Sequence, residues 1–151
     1  MRRRGDLVIA ETRHGFVCAS AGVDASNATE PDALVLLPVD PDESARRLHE
    51  QLGVAVIISD SFGRPWRQGT TDVAIGVAGL APLIDYRGRT DSTGYELHAT
   101  VIAAADEIAS AAELVKGKTD GVPATIVRGL SLRGDGTARE LVMPAERDLF
   151  R

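Results

Sequence analysis

Val54-Ala55-Val56-Ile57-Ile58-Ser59 constrains the fold more than any other stretch of this chain. An aliphatic run without polar alternation is the pattern of a strand covered on both faces, so something must pack on each side of it. A helix signal stands directly before it. Asp40 can cap a helix with its side chain, Pro41 suits the first helical position, and Gly53 suits the stop, which predicts a helix from Pro41 to about Leu52. Aromatic residues make up only 4% of the chain, so Ala, Val, Ile and Leu must build the core. Small side chains of that kind favour close contact between helix and sheet.

Other segments extend the pattern. Leu7-Val8-Ile9-Ala10 and Gly15-Phe16-Val17-Cys18 read as two short strands joined by a turn at Arg13-His14-Gly15. Leu34-Val35-Leu36-Leu37 reads as a buried strand stopped by Pro38, and Ala124-Thr125-Ile126-Val127 as another. Residues 96–115 read as a long Ala-rich helix with Ala104, Ile108, Ala111 and Val115 on one side and Gly117 at its end. Leu141-Val142-Met143 can pair as a strand ahead of an acidic tail. The expectation is a single α+β domain over residues 1–151, a mixed sheet with packed helices.

Charge and composition exclude several classes. A net charge of −5 leaves no basic footprint for nucleic acid. No apolar run is long enough for a membrane helix, and Gly5-Asp6 after the basic opening does not continue as a signal peptide. One cysteine, Cys18, allows no internal disulfide and fits a reducing cytoplasm, as a small packed thiol.

Two loops concentrate oxygen ligands. In Ala21-Gly22-Val23-Asp24-Ala25-Ser26-Asn27, carboxylate, hydroxyl and amide oxygens suit a hard cation such as Mg²⁺ or Mn²⁺, although an ordinary Asx-turn accounts for the same residues. In Ser59-Asp60-Ser61-Phe62-Gly63-Arg64-Pro65-Trp66-Arg67-Gln68-Gly69, Asp60 is expected just past a buried strand, where open sheets place ligand-binding groups. Asp24 and Asp60 can jointly hold one metal while Ser61 offers a hydroxyl to a second. Arg64 and Arg67 suit phosphate or carboxylate, and Trp66 can stack on a ring or pack. Lys116-Gly117-Lys118-Thr119 imitates the tail of a phosphate loop, but it lies at a helix end, where lysines complement the dipole instead. Asp106-Glu107 can be read as a general base pair, but adjacent helix positions point about 100° apart, so they are poorly placed to share one substrate and one of them is expected to face solvent. Asp85-Tyr86-Arg87-Gly88 and Asp91 add polar groups that can line a pocket.

Taken in order, these segments resemble the coenzyme F420 γ-glutamyl ligase family. The resemblance rests on Glu11-Thr12-Arg13-His14-Gly15-Phe16-Val17, the Asp24 loop, Leu36-Leu37-Pro38-Val39-Asp40-Pro41-Asp42, Ser59 through Arg67, Asp106-Glu107-Ile108-Ala109, Val127-Arg128-Gly129 and the closing Asp148-Leu149-Phe150-Arg151. It implies a γ-glutamyl ligase-like domain, represented by its central and C-terminal part, since the family carries an N-terminal segment ahead of the stretch matching Leu7 onward. It also implies a chemistry in which GTP phosphorylates a carboxylate of the deazaflavin precursor and L-glutamate attacks the acyl phosphate. By position, Asp24 and Asp60 match metal-binding aspartates, and Ser61 stands where the family has a metal-binding threonine. Asn27 matches a GTP contact, and Lys116, Gly117, Lys118 and Thr119 fall in a nucleotide-contacting loop. Two Mg²⁺ or Mn²⁺ sites are implied, but Lys118 stands where some relatives supply an amide or acid ligand, and a charged lysine cannot ligate. A homodimer is implied as well. The competing expectations are a non-catalytic module of this family that binds metal or coenzyme without turnover, and a metal-dependent phosphohydrolase built on the same acidic loops.

Overall fold

The computed structural model of the protein describes residues 2–5, 7–28 and 30–149. Its elements in chain order are β1 (Arg2–Arg4), β2 (Leu7–Glu11), β3 (Val17–Ala19), α1 (Pro41–Leu52), β4 (Val56–Gly63), β5 (Thr70–Ala78), β6 (Ile84–Asp85), β7 (Val101–Ile102) and α2 (Ala104–Lys116). Short 3₁₀ turns cover Ser20–Gly22, Ala138–Leu141 and Ala145–Arg147. The α+β class holds. Every described strand pair is antiparallel, in sheets ordered β1-β2-β3, β4-β5 and β6-β7.

The centre is the β4–β5 hairpin with both helices packed against it. α1 forms where its end signals predict. The Asp40 carboxylate accepts the Glu43 N–H at 3.0 Å, Pro41 occupies the first turn, and Gly53 closes the helix at φ 67°. Each helix is then tied to β5 by an acid in its first turn. Asp42 accepts the Val77 N–H at 2.9 Å and the Ala138 N–H at 2.8 Å, and Asp106 accepts the Ala74 N–H at 2.9 Å. These attachments flank a register shift, where Ile58 pairs with Gly76 but Ser59 pairs with Ala74. Such a bulge releases main-chain groups from the ladder, and here the helices collect N–H groups beside it.

The core is made of small side chains, as the scarcity of aromatics requires: Ala74, Val77, Leu80, Ala105 and Ala138, with Ile57, Leu132 and Leu141 against them. Helix and hairpin approach closely at Gly76, where an added Cβ would lie 2.3 Å from the Pro41 carbonyl oxygen. Gly76→Ala must push α1 off β5, and we expect it to cost about 1–3 kcal/mol, seen as a lower urea midpoint.

Several expectations are corrected. The strand covered on both faces is β5, not the run at 54–59. β4 begins at Val56 and stays half-buried, because no described strand pairs with its outer edge. Residues 34–37 form no strand. Val35 makes one bridge to Asp24, while Leu34 and Leu36 are exposed, and Leu37 packs over Gly22. Residues 124–127 are not in a strand either, and Leu141 ends a 3₁₀ turn where pairing was expected. The helix starts at Ala104, not Glu96, because residues 86–97 fold back through tight turns at Gly88 and Gly94. Its buried face is Ala104, Ala105 and Ala109, which leaves Ala111 and Val115 exposed. Cys18 is buried, as expected. Of the family-like ending, Phe150 and Arg151 lie outside the described residues. Among the described residues no helix is long and apolar enough to cross a membrane.

Candidate functional site

Asp24 stands in a loop that the chain can form only through left-handed backbone. Ser20 and Ala21 sit at φ 51° and 52°, Gly22 at 75° and Asn27 at 55°. Non-glycine residues rarely adopt such angles, and clusters of them mark loops whose shape is imposed by their surroundings. The Asp24 carboxylate accepts the Ser26 N–H at 2.8 Å and the Ser26 hydroxyl at 2.5 Å, so the Asx-turn expected as the plainer reading is present. Those bonds, with Lys118 nearby, hold its carboxyl below the ordinary range. The side chain remains exposed, and Lys118 Nζ lies 3.9 Å from its Oδ2.

Asp60 is not in a loop. It lies inside β4, paired with Val73, because the strand runs on to Gly63. Consecutive strand residues leave the sheet on opposite faces, so Asp60 and Ser61 diverge. Burial pushes the Asp60 carboxyl up, and the negative charges of Asp72 and Asp24 push it further, against the pull of Lys118. Asp60 also raises the Cys18 thiol, after burial itself. The charge of Asp24, 36 positions earlier in the chain, thus reaches Asp60, after burial and Asp72.

On the Ser61 side stands a residue that sequence reading missed. Asp72, on β5 directly across from Ser61, is 5% exposed. Its carboxylate accepts the Ser61 hydroxyl at 2.8 Å, the Ser59 hydroxyl at 2.7 Å and the Lys116 ammonium at 2.7 Å. Burial alone would raise the Asp72 carboxyl, but the bonds from Lys116, Ser59 and Ser61 outweigh it and hold the group below its ordinary value. Ser110 on α2 secures the Asp72 main-chain carbonyl at 2.7 Å. The signal that could have found Asp72 is the hairpin register, which sequence spacing across an irregular turn does not reveal.

The other expected site residues fall around this pair of acids or away from it. Lys116, expected at a nucleotide, directs its ammonium to Asp72. Gly117 caps α2 at φ 62°, and Thr119 is exposed beside Asp120. Lys116 thus ends α2 with its charge at the negative pole, as the dipole argument expects. Arg64, Trp66 and Arg67 form the tip of the β4–β5 hairpin. Arg64 bonds the Gln68 carbonyl at 2.9 Å, Arg67 is exposed, and Trp66 is 83% exposed at φ 56°. Asp106 is spent on the Ala74 N–H while Glu107 faces solvent. Asp85 and Arg87 pair with each other, which drops the Asp85 carboxyl to about 2. Asp91 holds its own turn through Thr93 and Tyr95. Neither Asp85 nor Asp91 lines the two cavities of about 650 and 440 Å³, which lie beside His14 and Arg139 and beside Phe62 and Asp106. Asp24 and Asp60 line neither of them.

The fit to divalent metal differs between the two sides. Asp24 and Asp60 offer hard oxygens whose mutual repulsion a cation would relieve, which suits an ion completing its shell with water and phosphate oxygens. Among the described residues no three His, Cys, Asp or Glu side chains converge to hold an ion alone. On the other side, Ser59 and Asp72 Oδ2 already hold a cation, the ammonium of Lys116, while Ser61 donates to Asp72 Oδ1. A second divalent ion does not fit there.

A family model described as F420-0:Gamma-glutamyl ligase matches residues 1–129. Among similar proteins is the coenzyme F420:L-glutamate ligase of Methanothermobacter thermautotrophicus, 51% identical over 97% of this chain and 62% of that protein. Those of Methanocaldococcus jannaschii and Methanopyrus kandleri are 46% and 49% identical, over 97% of this chain and 61% and 62% of theirs. The chain thus spans less than two thirds of the length of these relatives.

Proposed function

The chain belongs to the F420-0:gamma-glutamyl ligase family, and from that premise we propose that it carries the acidic, phosphate-facing part of a GTP-dependent ligase site. The product would be an amide between L-glutamate and a deazaflavin coenzyme precursor. What supports this reading is the placing of Asp24 on a strained loop, 3.9 Å from the Lys118 ammonium, where its charge and that of Lys118 both act on Asp60 of the strand.

The reaction divides into two displacements. A carboxylate oxygen of the precursor attacks the γ-phosphorus of GTP, and GDP leaves. The glutamate nitrogen then attacks the acyl carbon, and inorganic phosphate leaves with the bonding pair. A Mg²⁺ or Mn²⁺ at Asp24 and Asp60 supplies charge neutralisation for the phosphates when bound. Asp24 is oriented by Ser26, and Asp60 is held half-buried by the strand. Asn27 is assigned to the nucleotide side of Asp24, Gly117 and Thr119 are assigned to nucleotide contacts with it, and Lys118 supplies positive charge near Asp24. Arg64 and Arg67 are assigned to precursor or phosphate anions, since guanidinium forks match both. A homodimer is part of the proposal, and exposed Leu34, Leu36, Leu114, Ile126 and Leu130 supply apolar surface for it.

Calorimetric titration with GTP, with and without Mn²⁺, tests the reading. Binding that needs Mn²⁺ and is lost in Asp24→Asn is the expected result, followed by glutamate incorporation. Phosphate release without incorporation would point to hydrolysis instead. A module that binds without turnover is the second reading, favoured by the position of the acids outside both cavities. It predicts the same titration and no incorporation.

A further inference from the structure

The chain contains two lysines among its 17 basic Lys and Arg residues, and both stand on carboxylates of the candidate site. Elsewhere its positive charge is carried by arginine. Lysine differs from arginine in presenting a compact, tetrahedral ammonium, the nearest a side chain comes to a small inorganic cation, whereas a guanidinium is a broad planar fork. Lys116 uses that shape. Its ammonium lies 2.7 Å from Asp72 Oδ2 and 3.1 Å from Ser59 Oγ, and Ser61 closes the opposite edge of the same carboxylate at 2.8 Å. The Lys116 side chain is only 18% exposed and that of Asp72 only 7%.

We propose that the Lys116 ammonium is a built-in replacement for a second divalent cation, so that the chain binds a single metal ion, at Asp24 and Asp60. The inference rests on the ligase reading for the existence of that first ion, but not for the occupancy of the Asp72 side. Two carboxylate oxygens and two hydroxyls are hard donors that suit Mg²⁺ or Mn²⁺. A cation already occupies two of them, Asp72 Oδ2 and Ser59 Oγ, and a divalent ion beside it would meet a like charge at contact distance, which repels strongly where water is scarce. Ser61 therefore acts on Asp72 as a hydrogen-bond donor. Its proton is directed into the hairpin, away from Asp60 on the other face.

Mn²⁺ titration of the full chain, read by the electron paramagnetic resonance of free Mn²⁺, tests this. Wild type should bind one ion, Lys116→Met two, and Lys116→Met combined with Asp72→Asn one again. An unchanged count in Lys116→Met overturns the proposal, and so does a count of two in wild type. A wild type that binds none, even with GTP present, is failure of the metal reading at Asp24 and Asp60, while a gain of one ion in Lys116→Met still supports the replacement. Because Lys116→Met leaves Asp72 poorly paired and can impair folding, a measurement on wild type stands beside it. With only two lysines, the ¹⁵N spectrum of side-chain ammonium groups is readily assigned using Lys118→Arg. The Lys116 resonance should remain protected from exchange under saturating Mg²⁺ and GTP. Its loss on adding Mg²⁺ would show displacement and overturn the proposal.

Discussion

Asp72→Ala is expected to lose about 3–5 kcal/mol of stability, the cost of stranding a largely buried cation whose partner has been removed. The variant removes the acceptor for Lys116, Ser59 and Ser61 at once. Against a total stability of roughly 5–15 kcal/mol for a domain, that is enough to leave it partly unfolded at room temperature. Urea unfolding of Asp72→Ala, Lys116→Met and the double variant measures it. The double variant should recover much of the loss, since replacing both members of a buried pair is far cheaper than removing one. A single-variant loss below about 1 kcal/mol would show that Lys116 reaches water when released and that the pair is a surface contact in effect. The pair also sets a pH dependence. The folded Asp72 carboxyl lies below its unfolded value, so its contribution is complete above the unfolded value and disappears as the pH falls through the folded one.

Asp60→Asn should behave in the opposite way, gaining stability while losing function. The folded carboxyl is raised by burial and by Asp72 and Asp24, so the folded chain holds the proton more tightly than the unfolded one. Above the folded value this ionised group costs stability, and the cost declines as the pH drops below it and is gone below the unfolded value. Asparagine removes the charge at all pH values. At neutral pH the variant should therefore melt higher than wild type, by a gain within about 1 kcal/mol because the site keeps solvent contact. That difference should shrink in acid, where wild-type Asp60 is protonated too. Metal-dependent GTP binding should fall at least ~100-fold, the loss of one direct charge contact to a divalent ion. A variant that melts lower than wild type, or binds GTP and Mn²⁺ unchanged, would remove Asp60 from the assigned role.

What could be read from the sequence was local. Asp40, Pro41 and Gly53 bound α1 because capping acts within three or four residues, and Gly117 ends α2 for the same reason. The acids Asp24 and Asp60 stood out because each sits among other polar residues. Asp72 did not stand out, lying between Thr71 and Val73 with its partners 11 and 13 residues back and 44 ahead. Apolar runs misled where no neighbour is available to cover them. Leu34-Val35-Leu36-Leu37 and Ala124-Thr125-Ile126-Val127 carry the composition of strands, but a strand needs a partner edge, and hydrophobicity along one segment does not specify another. The placement of Asp60 failed for a related reason. Ser59-Asp60-Ser61 is polar, and only pairing with β5 shows that the strand continues through it.

The methyl-group core reverses the usual direction of mutational fragility. In most interiors the damaging change is truncation, which opens a hole among large side chains. Here Ala45, Ala74, Ala105, Ala109 and Ala138 have little left to truncate, and all are buried. Growth is the dangerous direction, because an added carbon at a fully buried position must push its neighbours aside. Replacement at these sites is expected to be tolerated only by residues of one side-chain carbon or none. The spacing between helices and hairpin is thereby set by side chains too small to be traded for larger ones.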